Sequence, residues 1–133
     1  MQLEKFSPLA RRSGIVVSTA AALFLAFDGV IKIARIEPVL QSFAELGLPE
    51  SLAVFIGALE LSCLALYVIP RTAALGAVFL TGFLGGAVAL KVRVEAPLFS
   101  HTLFGVYTGT LLWLGLLLRK PSLRALLLSK ESV

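Results

Sequence analysis

The strongest constraint on this chain is the placement of its apolar residues in four long runs, at 14–35, 51–69, 73–90 and 101–118. At ~1.5 Å per helical residue, a run of about 20 residues crosses a hydrocarbon core of about 30 Å. Lipid offers no hydrogen bonds to the backbone, so such runs must be helical. The expected fold is therefore all-α: an integral membrane four-helix bundle forming one domain over residues 1–133, with a basic tail at 119–133. Composition agrees. Hydrophobic residues make up 58% of the chain and charged residues 15%, against about a quarter charged in soluble domains. The mean hydropathy is +0.94.

A cleaved signal peptide is the competing reading of the first run, because Arg11 and Arg12 precede an alanine-rich stretch. The run continues through Ile31 and Ile33, however, beyond the usual length of a signal core. Between the first two runs, residues 36–50 read IEPVLQSFAELGLPE. Pro38 ends the preceding helix, and Gly47 with Pro49 marks a second break. The apolar spacing between them predicts a short amphipathic helix lying on the membrane surface.

The formal net charge is +4, and the bases fall at the ends of the apolar runs. Lys5, Arg11, Arg12, Arg71, Arg119, Lys120, Arg124 and Lys130 lie on one side; Arg35, Lys91 and Arg93 lie on the other. The positive-inside rule then puts both termini in the cytoplasm. Tyr67 and Trp113 are expected as interfacial aromatics on the cytoplasmic side. No basic stripe interleaves with aromatics, so nucleic-acid binding is not expected. One cysteine, Cys63, allows no internal disulfide or dithiol chemistry. With a single histidine besides, no metal or bis-histidine haem site is expected. Cys63 reads as a small buried hydrophobe.

Glycine spacing supplies a packing signal. Gly82 and Gly86 in the third run, like Gly105 and Gly109 in the fourth, are four residues apart and let helix backbones approach closely. Packing within the bundle is the simpler expectation; the alternative is a homo-oligomer through helices 3 and 4.

Charges inside the runs are the candidate site. Asp28 and Lys32 are four residues apart with the acid first, the favourable order for a pair along one helix face. Glu60 lies near the middle of the second run, with Lys32, Lys91 and Arg93 as candidate partners. An isolated charge at the bilayer centre costs on the order of 3 kcal/mol, so these groups are expected to face inward. Asp28, Lys32, Glu60, Arg93 and His101 thus predict a polar pocket in the outer half of the bundle, beneath residues 36–50. Gly29 would let another helix or a ligand come close. An ion-pair network that merely fixes helix register is the other reading, and His101 taken alone reads as an interfacial polar residue.

The segments LFLAFDGVIKI, LGLPESLAVFIGALEL, YVIPRTAALGAVFLTGFLGGAVALKVR and PLFSHTLFGVYTGTLLWLGLLLR together resemble the DoxX-like family of small bacterial four-helix membrane proteins. The resemblance runs from about residue 14 to 125. It implies a four-helix bundle in the bacterial cytoplasmic (inner) membrane. The family takes its name from a subunit associated with a quinol-linked oxidase, and relatives are connected to membrane redox complexes. Asp28, Gly29, Lys32, Arg71, Gly85, Gly86, Arg93 and His101 sit at positions of the family pattern. The chain departs from it at Lys91, where relatives often carry histidine, and at Gly105, where proline is common. The first departure counts against a histidine-based proton relay. Glu60 is not carried over from the family.

The expected function is binding of a lipophilic small molecule such as a quinone, or support of a membrane redox protein, with redox equivalents supplied by the partner or a bound cofactor. A membrane enzyme transferring protons on a small hydrophobic substrate, with Asp28 or Glu60 as base, is the alternative. A small proton-coupled transporter is the third reading.

Overall fold

The computed structural model describes residues 7–128, and all its regular elements are helical. Helix α1 covers Ser7–Ala34, α2 Glu37–Glu45, α3 Leu52–Val68 and α4 Ala73–Arg93. A π-helical turn at Leu98–Thr102 leads into α5, Phe104–Arg119, and α6 covers Pro121–Leu128. Three helical segments are long and apolar enough to cross a membrane: Pro8–Ala34, Ala73–Arg93 and Leu98–Arg119. The fourth apolar helix, α3, has 17 residues and a length of about 26 Å. Lys5 and Lys130, counted above among the flanking bases, lie outside the described residues, as does the end of the basic tail.

Three helix ends share one backbone device. After α1, the N–H of Arg35 bonds to the Lys32 carbonyl and that of Ile36 to Ile31. The same pair of bonds recurs at Gly47 and Leu48 after α2, and at Glu95 and Ala96 after α4. Such an ending needs a left-handed residue. Only Gly47, at φ 72°, adopts it without a Cβ; Arg35 and Glu95 do so at 53° and 55°. Pro38 lies in the first turn of α2, where its missing N–H costs nothing. Helix α4 continues through Lys91 to Arg93, past Leu90 where the apolar run ends.

The main contacts run in a ring: α1 packs on α3 and α5, and α4 closes the circuit between them. Two glycine contacts set the spacing of α1. A Cβ on Gly14 would come within 2.7 Å of the Gly115 carbonyl on α5, and one on Gly57 of α3 within 2.7 Å of the Gly29 carbonyl. By contrast, Gly82, Gly85 and Gly86 of α4 have open space where a side chain would go. Packing within the bundle, the simpler expectation for the Gly82–Gly86 spacing, is therefore corrected. A repeat spacing identifies a face of the helix but not what lies against it. In α5, Gly105 does meet α4, at Leu84 and Val88.

Leu25, Leu64, Leu80, Leu112 and Leu116 form the core with Tyr67. Large apolar groups face outward, among them Val16, Phe27 and Phe55 at 64–68% exposure, while Ser18, Glu60, Thr102 and Thr108 are buried. That distribution inverts the soluble rule and suits lipid. Tyr67 is 1% exposed rather than an interfacial anchor. Its hydroxyl donates to the Leu112 carbonyl at 2.6 Å and lies 3.0 Å from Ser18 Oγ, so burial leaves no orphaned phenol. Cys63 is buried and free. Ser62, Thr81, Thr108 and Thr110 donate to carbonyls four residues earlier, as hydroxyls in apolar helices do.

Helix α2 buries Val39 and Phe43 against Ala53, with Ile31, Leu48 and Ile56 around them. It covers the end of the molecule where α1 finishes and α3 begins.

Candidate functional site

The polar cluster starts from the close approach of α1 and α3. Gly29 and Gly57 lie backbone to backbone, and the residues three positions further on, Lys32 and Glu60, are on the adjoining turns. Lys32 Nζ therefore reaches both acids: 2.5 Å to Asp28 Oδ2 along its own helix and 2.8 Å to Glu60 Oε2 across to α3. Among the three candidate cations, Lys32 is Glu60's partner.

Burial grades across the cluster. The Glu60 side chain is fully buried, Lys32 is 17% exposed and Asp28 32%. Helix α4 adds Phe83, whose ring centroid is 5.3 Å from Lys32 Nζ, within range of a cation–π attraction. Phe83 and Gly57 were not legible as site residues, since an aromatic or a glycine in an apolar run is unremarkable by itself. Glu60 Oε1 is buried with no hydrogen-bond partner among the described residues. Two carboxylates and one ammonium sum to −1 if all are ionised, so the cluster has room for one further proton or hydrogen-bond donor.

Arg93 and His101 are elsewhere. Arg93 is exposed and donates through Nη2 to the Leu46 carbonyl at 2.8 Å, tying the end of α4 to the end of α2. A cation on the final carbonyls of a helix suits its dipole. His101 is exposed in the π-helical turn, its Nδ1 2.7 Å from Ser100 Oγ. Two open grooves of about 460 and 550 Å³ flank the helices, and Asp28, Lys32 and Glu60 line neither. Where the sequence predicts a pocket, the Lys32 ammonium occupies the space between the carboxylates.

Apolar helices with an outward apolar surface and partly buried ion pairs mark a small membrane protein. The chain belongs to the DoxX-like family, whose pattern it matches over residues 16–115. No curated protein and no solved structure matches it.

Proposed function

We propose that this protein is a multi-pass component of the bacterial cytoplasmic membrane. In this reading α1, α3, α4 and α5 form one four-helix transmembrane domain, with both termini cytoplasmic and α2 on the outer surface. The basic residues around Arg12, Arg71 and Arg119 support that orientation. Helix α3 is a few ångströms short for a typical bilayer, a mismatch accommodated by local thinning. The open glycines of α4 support self-association through that helix.

The function proposed is binding of a lipophilic molecule with a hydrogen-bonding head, such as a quinone, either for itself or in support of a membrane redox partner. The observation that carries it is the incomplete pairing of the cluster. A lock for helix register has reason to pair every polar atom, because each one left unpaired in the interior is costly. Here Glu60 keeps an unused oxygen, and the Asp28 carboxylate is only partly buried. A quinone carbonyl would accept from Lys32, and a quinol hydroxyl would donate to Asp28. Arg93 would act indirectly, by holding α2 over this end of the bundle. A second reading, proton transfer on a small hydrophobic substrate, is favoured by the same Glu60 Oε1, a base shielded from water.

Purification in mild detergent, extraction and mass spectrometry of bound small molecules test the proposal, together with thermal stabilisation by added ubiquinone or menaquinone. Co-purified quinone, or a rise in melting temperature that Asp28→Asn abolishes, is expected. A protein that carries no quinone and is not stabilised by either one contradicts it.

A further inference from the structure

The groove of about 460 Å³ shares no lining residue with the ion-paired cluster; it runs from Ala26 and Leu61, beside that cluster, towards the end where α1 begins and α5 ends. Ile15, Ala22 and Ala26 of α1 and Leu61 and Val68 of α3 form its apolar walls, and Arg119 lines it as well. From Ile15 to Ala26 is about 16 Å along the helix axis, close to half of a ~30 Å hydrocarbon core and so the depth of one leaflet.

Arg119 supplies the polar end. Its Cζ is 5.1 Å from the Tyr67 ring centroid. The Nε and Nη2 atoms are buried without a hydrogen-bond partner among the described residues. No carboxylate of the described residues lines the groove. A guanidinium with unused, desolvated donors is an unfavourable arrangement until an acceptor arrives. Its planar fork suits the paired oxygens of a phosphate.

The surroundings carry the same sign. Gly14, two residues from Arg12, meets Arg119 across the α1–α5 contact. Lys120 donates to the Pro70 carbonyl, which brings the Arg71 turn to this end too. Basic clusters at a membrane surface attract anionic lipid.

We infer that this groove binds one anionic phospholipid, with its phosphate on Arg119 and an acyl chain along Ala22 and Ala26. The site is separate from the cluster at Lys32, and its occupation does not depend on the ligand proposed there.

Native mass spectrometry of the purified full chain tests the inference, with phosphatidylglycerol and phosphatidylcholine in competition. The wild type is expected to retain one phosphatidylglycerol with a preference of about tenfold or more, the scale of a charge-assisted contact. Arg119→Gln should abolish the preference, Ala22→Phe should weaken binding of both lipids, and soluble glycerol phosphate should not displace the bound lipid. Asp28→Asn should leave all of this unchanged. Equal retention of the two lipids, an unaltered preference in Arg119→Gln, or displacement by glycerol phosphate overturns the inference. If Arg119→Gln fails to fold, Ala22→Phe decides, because it keeps the Arg119–Tyr67 contact: undiminished phosphatidylglycerol binding there overturns the inference as well.

Discussion

Gly57 of α3 rests against the carbonyl of Gly29 in α1, and that contact puts Lys32 within 2.8 Å of Glu60 one turn further on. The absence of two side chains thus brings together an ion pair between residues 28 positions apart in the chain.

Gly57→Ala should therefore be disruptive, because the new Cβ would meet the Gly29 carbonyl at 2.7 Å and Lys32 Cβ at 2.9 Å. A loss of about 1–3 kcal/mol is expected from overpacking at such a site. Gly29→Ala should cost less, since its nearest obstacles are Leu61 side-chain atoms that can rotate away. Thermal unfolding in detergent compares the two; equal stability of Gly57→Ala and wild type would contradict the packing account.

Removal of the cation should cost more than removal of one acid's charge. Lys32→Met leaves the fully buried Glu60 carboxylate beside Asp28 with no counter-charge, and breaking a buried pair in this way typically costs about 3–5 kcal/mol. Combining it with Glu60→Gln should recover a large part of that loss, because the buried charge is then gone too. A double-mutant cycle reads the coupling directly; strictly additive effects would mean that the two side chains do not interact.

Arg93→Ala should loosen α2 without unfolding the rest. The hydrogen bond from Arg93 to Leu46 is worth about 1 kcal/mol by the usual range. Faster hydrogen exchange or proteolysis confined to residues 37–48 is the expected result. An unchanged exchange rate there would show that Val39 and Phe43 hold the helix alone.

The open stripe on α4 should tolerate side chains within the monomer. Gly82→Ala and Gly86→Ala each replace a helix-weakening residue by the best helix former, a gain of about 0.5–1 kcal/mol per site. If α4 is a seam between copies, the double variant should instead weaken association, visible by crosslinking or light scattering in detergent. Loss of monomer stability would contradict the open environment of these glycines.

Much of this fold is legible in the sequence, for physical reasons. Lipid leaves helices as the remedy for long apolar runs, and the four-residue spacing of Asp28 and Lys32 alone implies a pair. Which cation meets Glu60 could not be read, since it depends on the rotation of α3 against α1, which Gly57 fixes through a contact distant in sequence. The Gly82–Gly86 spacing was conspicuous but faces away from the chain. The close approaches of α1 to its neighbours use Gly14, Gly115, Gly29 and Gly57, and α4 meets α3 at Gly76; none of these pairs with a glycine four residues away. Tyr67 resembled an interfacial anchor because its position near a helix end is visible, while its partner, the Leu112 carbonyl on α5, is not.

The most direct test of the central claim is a quinone titration of the protein in nanodiscs, comparing wild type with Asp28→Asn and Glu60→Gln. Asp28→Asn removes the partly buried carboxylate, and Glu60→Gln alters the buried oxygen, each with little change of shape. The account predicts saturable binding by the wild type, weakened about tenfold or more in both variants, with folding unchanged by circular dichroism. Saturable binding of equal strength in all three proteins, or none in the wild type, would contradict it.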